Sequence, residues 1–184
     1  MIFITYVKKY LEVISMVNSE LIILGLIYLN PSHGYALKKN VKNAFGNPNF
    51  KLNNNILYST LQKLEKNGFI TGKEIQSEKI NKKVYYITEN GKKHLLELVA
   101  TPVKPDIDRF DFNVQAVFFD LIPQETRKKV VKPLYNAQLN MYQESLKKKE
   151  KFGTKMTPIS LIVLEYGIKE LEISLEFYKK LMET

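Results

Sequence analysis

The chain of 184 residues contains no cysteine and only two histidines, His33 and His94. Without cysteine the chain has no disulfide framework, no thiol nucleophile and no thiolate-bound metal, which is typical of cytoplasmic proteins. The two histidines lie far apart in the sequence, and neither a metal-ligand spacing nor a glycine-rich phosphate loop accompanies them. We therefore expect a cytoplasmic protein that is not an enzyme, with no catalytic site, no metal site and no cofactor.

Arginine is also scarce, since Arg109 and Arg127 are the only arginines among 28 basic residues, and the formal net charge is +9. A composition rich in Lys, Asn and Ile is what an AT-rich genome produces, so the total charge says little. The position of the charge is more informative. Residues 1–100 carry 14 lysines against seven acidic residues, whereas residues 101–184 have a net charge of only +2. Concentrated positive charge attracts polyanions by counterion release, so nucleic acid is the expected partner of the N-terminal half.

The first residues lack the pattern of a signal peptide or a membrane anchor. No basic segment precedes their apolar part, Lys8, Lys9 and Glu12 interrupt it, and no small-residue cleavage site follows. A spanning helix would need about 20 mostly apolar residues. We interpret residues 1–18 as an amphipathic extension and expect no membrane association. An alternative interpretation is that translation starts at Met16.

Two helices are predicted next. The apolar segment 19–30, with Ser19 as its candidate N-cap, predicts a buried helix that ends before Pro31. A second helix is predicted to follow Ser32, its candidate N-cap, because apolar residues recur at helical spacing. Tyr35 is expected to belong to the core face of this helix.

The segment 53–68 predicts a third helix with two different faces. Asn53 is the candidate N-cap, and Asn67-Gly68 is a typical left-handed helix stop. The apolar stripe consists of Ile56, Leu57, Leu61 and Leu64. The opposite face is polar.

A β-hairpin is predicted after the third helix. Residues 70–76 and 83–88 are rich in β-branched and aromatic residues, and the polar run 77–82 joins them. Thr88 is the candidate N-cap of a fourth helix. Three helices followed by a hairpin give the order of a winged helix-turn-helix, in which the third helix enters the major groove and the hairpin approaches the adjacent backbone. We assign residues 19–100 to this DNA-binding domain.

The remainder is predicted to be a linker over residues 101–110 and a helical dimerisation domain over residues 111–184. Its last helix, beginning at Thr157-Pro158, has apolar residues spaced alternately by three and four. The candidate dimerisation residues are Leu161, Leu164, Ile168, Leu171, Leu175 and Tyr178. An intramolecular antiparallel helix pair is the alternative explanation. We favour a dimer because further apolar residues, including Ile162 and Val163, leave more surface than one partner helix covers.

Three motifs carry a family resemblance. They are the Pro-Ser-His-Gly-Tyr run, Leu-Tyr followed by Leu-x-x-Leu-Glu-x-x-Gly, and Tyr-Tyr-x-Thr-x-x-Gly at the end of the hairpin. In combination, residues 19–100 resemble the PadR family of bacterial transcriptional regulators, and the sequence that follows is similar to its longer, phenolic-acid-repressor-like members. The resemblance implies a mainly α-helical protein with a small β-hairpin: a winged helix-turn-helix with a C-terminal α-helical dimerisation domain.

The resemblance further implies a homodimer that binds a double-stranded DNA operator, usually as a repressor, and that is released by a small aromatic or hydrophobic effector. No effector-binding residue is named, because aromatic residues at helical spacing are more often core. Family members often have Pro-Gly-Thr-Leu-Tyr-Pro where this chain has the run 54–59, so the operator sequence is not carried over. An activator, or a winged-helix protein-interaction module, remains the alternative function.

The candidate DNA-binding residues lie on the polar faces of the second and third helices and on the hairpin. They are His33, Lys38, Asn54, Asn55, Tyr58, Ser59, Gln62, Lys63, Lys79, Lys82 and Lys83. Asn and Gln side chains pair bidentately with adenine, whereas Lys meets guanine or phosphate. The hairpin lysines are expected to contact phosphates. For His33, at the start of the second helix, phosphate binding and a packing role both stay open.

Overall fold

The computed structural model describes residues 19–45, 52–75, 82–104, 107 and 109–184. The protein is mainly α-helical with one small antiparallel sheet, as the sequence predicts. It forms two compact units. The first contains the described residues up to Val99 together with Asn113–Phe118, and the second contains Ala100–Phe112 and Phe119–Thr184. Among the described helices, none combines the length and apolar character that a membrane crossing requires.

Three helices form the centre of the first unit. Residues 19–29 are helical (α1), and they are followed by α2 (Gly34–Phe45) and α3 (Asn54–Lys66). The fully buried side chains of these helices are aliphatic: Ile22, Ile23, Leu24, Ile27, Leu37, Leu57, Leu61 and Leu64. Burying each such side chain stabilises the folded state by about 1.5–3 kcal/mol. This core confirms the predicted apolar stripe of α3 at Leu57, Leu61 and Leu64, whereas Ile56 is half-buried.

The start of α2 differs from the prediction. Ser32 does not cap the helix, because it lies in a short strand, β1 (Ser32–His33), and its hydroxyl donates to the carbonyl of Asn30 at 2.9 Å. The imidazole Nδ1 of His33 accepts the Ala36 N–H at 3.3 Å instead. The core prediction for Tyr35 is also wrong, since 74% of this residue is exposed.

The sheet is completed by β2 (Ile70–Ile75) and β3 (Lys82–Ile87), in the order β1-β3-β2 with antiparallel neighbours. Residues 76–81 lie outside the described residues. They include all of the predicted connecting run 77–82 except Lys82, which is the first residue of β3. After β3, the hydroxyl of Thr88 accepts the Gly91 N–H at 3.0 Å and donates to the carbonyl of Gly68 at 2.7 Å. Thr88 thus caps α4 (Glu89–Ala100), as predicted, and ties its start to the end of α3.

The segment Asn113–Phe118 belongs to the first unit although it follows α4 by more than ten residues. The buried amide of Gln115 donates to the carbonyl of Val99 at 2.8 Å, near the end of α4. The ring of Phe118 lies against Gly25, where any side chain would overlap it. A glycine in α1 therefore makes room for a phenylalanine that is far away in the sequence.

The second unit is built on two long helices, α6 (Gln124–Phe152) and α7 (Pro158–Glu183), which follow α5 (Arg109–Ala116) and are joined by a short 3-10 turn, Gly153–Lys155. Thr157 accepts the Ser160 N–H and caps α7, which begins at Thr157-Pro158 as predicted. The two helices are antiparallel. Near one end Lys149 pairs with Glu165 at 2.8 Å, and at the other end the side-chain amide of Gln124 donates to the backbone carbonyl of Glu183 at 2.8 Å.

Candidate DNA-binding surface

The ends of α3 are set by local interactions. The side chain of Asn53 accepts the Ile56 N–H at 2.8 Å, which confirms the predicted N-cap. Gly68 has a φ of 72°, the left-handed conformation that glycine adopts without strain, and this confirms the predicted stop. Because Leu57 and Leu61 hold the inner side of the helix in the core, its polar side is turned outward.

The outward side of α3 collects most of the candidate DNA-binding residues. All six of the candidates on this helix are exposed: Asn54, Asn55, Tyr58, Ser59, Gln62 and Lys63. The ammonium of Lys38, on α2, donates to the side-chain oxygen of Asn54 at 2.9 Å. The structure therefore brings these candidates from two helices onto one polar surface, which we call the α3 face.

Three aromatic rings lie near the start of α2, beside the α3 face: His33, Tyr35 and Tyr58. A Cβ atom at Gly34 would lie 3.0 Å from a ring carbon of Tyr58 and 3.2 Å from its hydroxyl oxygen, so the absence of a side chain lets Tyr58 approach the start of α2. The His33 ring is stacked on Tyr35 with centroids 6.4 Å apart. Because His33 also caps α2, the packing role has direct structural support.

Lys63 is already paired within the first unit. Its ammonium lies 2.8 Å from Glu20 Oε2, and the other oxygen of this carboxylate lies 3.0 Å from His94 Nε2. The Glu20 side chain is only 13% exposed. Burial raises the pKa of Glu20 and is the largest single influence, but the hydrogen bonds and charges of Lys63 and His94 together hold that pKa below its ordinary value. Local sequence patterns do not predict this pairing, because Glu20 lies 43 residues before Lys63.

Of the two described lysine candidates on the hairpin, Lys83 is paired with a carboxylate and Lys82 is not. Lys83 lies 2.8 Å from Glu65 on α3, and this hydrogen bond holds the pKa of Lys83 above its ordinary value. Lys82 is exposed, and within the described ranges no ion pair involves it. Lys79 falls outside the described residues. The role of Glu65 was also missed, although the Leu-x-x-Leu-Glu motif contains it.

The candidate dimerisation residues occupy one side of α7. Ile168 is buried, and the other five are half-buried. A second row of apolar residues is exposed by 40–71%: Ile159, Ile162, Val163, Tyr166, Ile173 and Phe177. With 3.6 residues per turn, this row lies on nearly the opposite side of the helix from the candidates. The part of α7 that is left uncovered in the single chain is therefore not the row of candidate dimerisation residues, but it includes Ile162 and Val163, which the sequence predicted to leave apolar surface uncovered.

The second unit contains a groove of about 610 Å³. Side chains from α6 and α7 line it, including Met141, Leu164 and Leu171. Its charged lining residues are Arg109, Lys148 and Glu170. No group of three or more potential metal ligands occurs within the residues that the structure describes.

Comparisons with known proteins give a consistent picture. Residues 23–97 match the model of the transcriptional regulator PadR-like family. Similar solved structures include Bacillus subtilis PadR in complex with operator DNA, with 20% identity, 89% of this chain and 97% of that chain covered, and a TM-score of 0.43. A PadR-like regulator from Bacillus cereus has 28% identity, coverage of 89% and 93%, and a TM-score of 0.40.

A transcriptional regulator from Clostridium thermocellum has 31% identity over 42% of this chain and 75% of that chain, with a TM-score of 0.40. TM-scores this low do not establish a common arrangement of whole chains. No curated protein matches the sequence.

Proposed function

Because the chain belongs to the PadR-like family of transcriptional regulators, we propose that it is a homodimeric, cytoplasmic repressor that binds a pseudo-palindromic operator and is released by a small molecule or another signal. The observation that carries this proposal is the α3 face: an exposed polar helix surface, anchored from below by buried leucines and flanked by a lysine-bearing hairpin. A protein-docking face would expose apolar side chains, so a protein-interaction module is less well supported.

The residues of the α3 face are assigned different roles. Asn55 and Gln62 are suited to bidentate bonds with adenine in the major groove, and Ser59 to a further base contact. Lys38 and Lys82 contact phosphates, which fixes the register of the protein without reading sequence. Asn54, Tyr58 and His33 lie at the edge of this surface and complete the contact with the backbone.

Lys63 and Lys83 are each paired with a carboxylate, and a phosphate competes with that carboxylate for their charge. In the chain without DNA, the ammonium of Lys63 lies 2.8 Å from a carboxylate oxygen of Glu20. The ammonium of Lys83 lies at the same distance from a carboxylate oxygen of Glu65. When such a lysine binds a phosphate, it gains one ion pair and weakens another, so its net contribution to affinity is smaller than that of an unpaired lysine. Lys79 is assigned a phosphate contact from the sequence alone.

The homodimer is supported by the exposed apolar row of α7. Residues such as Ile162 and Val163, exposed by 59% and 64%, are surrounded by further apolar side chains on the same side of the helix. Contiguous exposed apolar surface of this kind marks protein interaction sites. A second copy of the chain would present the same row, as twofold dimers require. The candidate dimerisation residues, which lie on the more buried side of α7, then contribute to the dimer indirectly, by holding α7 within its own unit.

Release by an effector is supported by the groove of the second unit. Its apolar side chains, among them Met141, Leu164 and Leu171, suit the aromatic or hydrophobic part of such a molecule, and the cations Arg109 and Lys148 suit a carboxylate on it. To release the operator, the effector must bind the state that does not bind DNA more tightly than the state that does.

A gel-shift titration with the DNA upstream of the chain's own gene, at two salt concentrations, tests the proposal. We expect specific binding that persists in excess competitor DNA and weakens as salt rises. Absence of specific binding would overturn autoregulation. Transcription from that promoter with and without the protein then separates a repressor from an activator.

A further inference from the structure

Glu65 joins α3 to both strands of the hairpin. Its Oε1 atom accepts the backbone N–H of Gly72, on β2, at 3.1 Å. Its Oε2 atom accepts from Lys83, on β3, at 2.8 Å. Since β2 is an edge strand, its outward N–H groups have no strand partner, and the carboxylate of Glu65 supplies one. One side chain thus fixes two strands against the helix that carries the α3 face.

Gly72 makes this arrangement sterically possible. A Cβ atom at this position would overlap Cε of Lys83 and lie 2.9 Å from Oε1 of Glu65. The lysine side chain therefore crosses directly over the glycine on its way to the carboxylate. Its ammonium also lies 5.5 Å from the ring centroid of Tyr85, in a cation–π contact. We call Glu65, Gly72 and Lys83 the hairpin clamp.

We propose that the hairpin clamp is a positioning device that holds the hairpin at a fixed place beside α3, so that both elements meet the DNA together, with Glu65 as its central residue. This inference rests on the proposed DNA-binding function. It differs from a simpler role in which Glu65 only competes with phosphate for Lys83. The two roles predict opposite signs, because losing a competitor strengthens DNA binding whereas losing a positioning contact weakens it.

Glu65→Ala and a matched control, Glu74→Ala, distinguish these roles. Glu74 is an exposed carboxylate on β2 opposite Lys83, and it forms no ion pair among the described residues. Both substitutions raise the net charge by one. We expect Glu65→Ala to weaken operator binding roughly tenfold at fixed salt, the middle of the range for coupled contacts, whereas Glu74→Ala binds at least as tightly as the wild type.

Gly72→Ala provides a second variant, which retains both Glu65 and Lys83. The added methyl group displaces the flexible end of Lys83 from Glu65, while alanine is no worse than glycine for the strand. We expect a loss of affinity similar to that of Glu65→Ala. If Glu65→Ala binds as tightly as Glu74→Ala, or Gly72→Ala binds as tightly as the wild type, the positioning role is overturned.

Hydrogen exchange of the Gly72 amide tests the clamp without DNA. We expect exchange to be about tenfold faster in Glu65→Ala than in the wild type and Glu74→Ala, because the amide loses its acceptor. Equal exchange rates would overturn the clamp itself. If the exchange rates differ as expected but the wild type binds no specific DNA, the proposed function has failed and the clamp has no role in DNA binding.

Discussion

Gly91 lies where the first turn of α4 meets the backbone at Phe69. A Cβ atom at this position would overlap the carbonyl oxygen of Phe69, which cannot rotate away as a side chain would. We predict that Gly91→Ala lowers the free energy of unfolding by about 1–3 kcal/mol, as overpacking does. Urea unfolding measures the change. Gly167→Ala is the control, since a Cβ atom there meets nothing within 4 Å, and it should stabilise α7 by up to about 1 kcal/mol.

The carboxylate of Glu20 makes the free energy of unfolding depend on pH. Because its folded pKa lies below the ordinary value of 4.5, the carboxylate stabilises the fold at neutral pH, and this contribution is lost as pH falls through the folded pKa. We predict that Glu20→Gln lowers the free energy of unfolding at pH 7 by about 1 kcal/mol, and that the difference from the wild type shrinks as pH falls below 4.5 and through the folded pKa of Glu20. Urea unfolding across pH checks both. A constant difference across that range would contradict the assignment, and the exposed Glu74→Gln serves as control.

At the scale of one element, α3 shows what local sequence decides. Asn53 and Gly68 act on backbone groups within a few residues of themselves, so both ends of the helix were predictable, as was the buried side with Leu57 and Leu61. The start of α2 was not, because Ser32 pairs with Tyr85 in the sheet and is thereby removed from the helix end. Strand pairing with a distant segment overrode the local preference of serine for an N-cap.

The outward side of α3 leads to a prediction for DNA recognition. We predict that Gln62→Ala weakens operator binding by about 1–3 kcal/mol, since an adenine loses a bidentate partner, and that discrimination at one base pair is relaxed. Titrations with the operator and with single-base variants of it measure both effects. Gln143→Ala, an exposed glutamine on α6, should bind as the wild type does. Equal affinities for Gln62→Ala and the wild type would remove Gln62 from the base-contacting set.

For the whole molecule, the exposed row of α7 makes the oligomeric state testable. We predict that Ile162→Glu raises the dimer dissociation constant at least about tenfold, because it places charges on both sides of a twofold interface. Ile162 is 59% exposed in the single chain, so the fold should be retained. Analytical ultracentrifugation over a concentration series measures the change, with Val117→Glu, at 60% exposure, as control. An unchanged dissociation constant would exclude this row from the interface.

The sequence by itself determined the order of the helices and of the two hairpin strands, the caps at Asn53 and Thr88, the start of the last helix at Thr157-Pro158, and the family, because these depend on residues close together in the chain. Only the tertiary structure decided which charges are already paired. Glu20 and Lys63 are 43 residues apart, and Glu65 and Lys83 are 18 apart. Such pairs meet only after the buried side chains have brought their helices and strands together, and no periodicity or local motif specifies the partner of a distant charge.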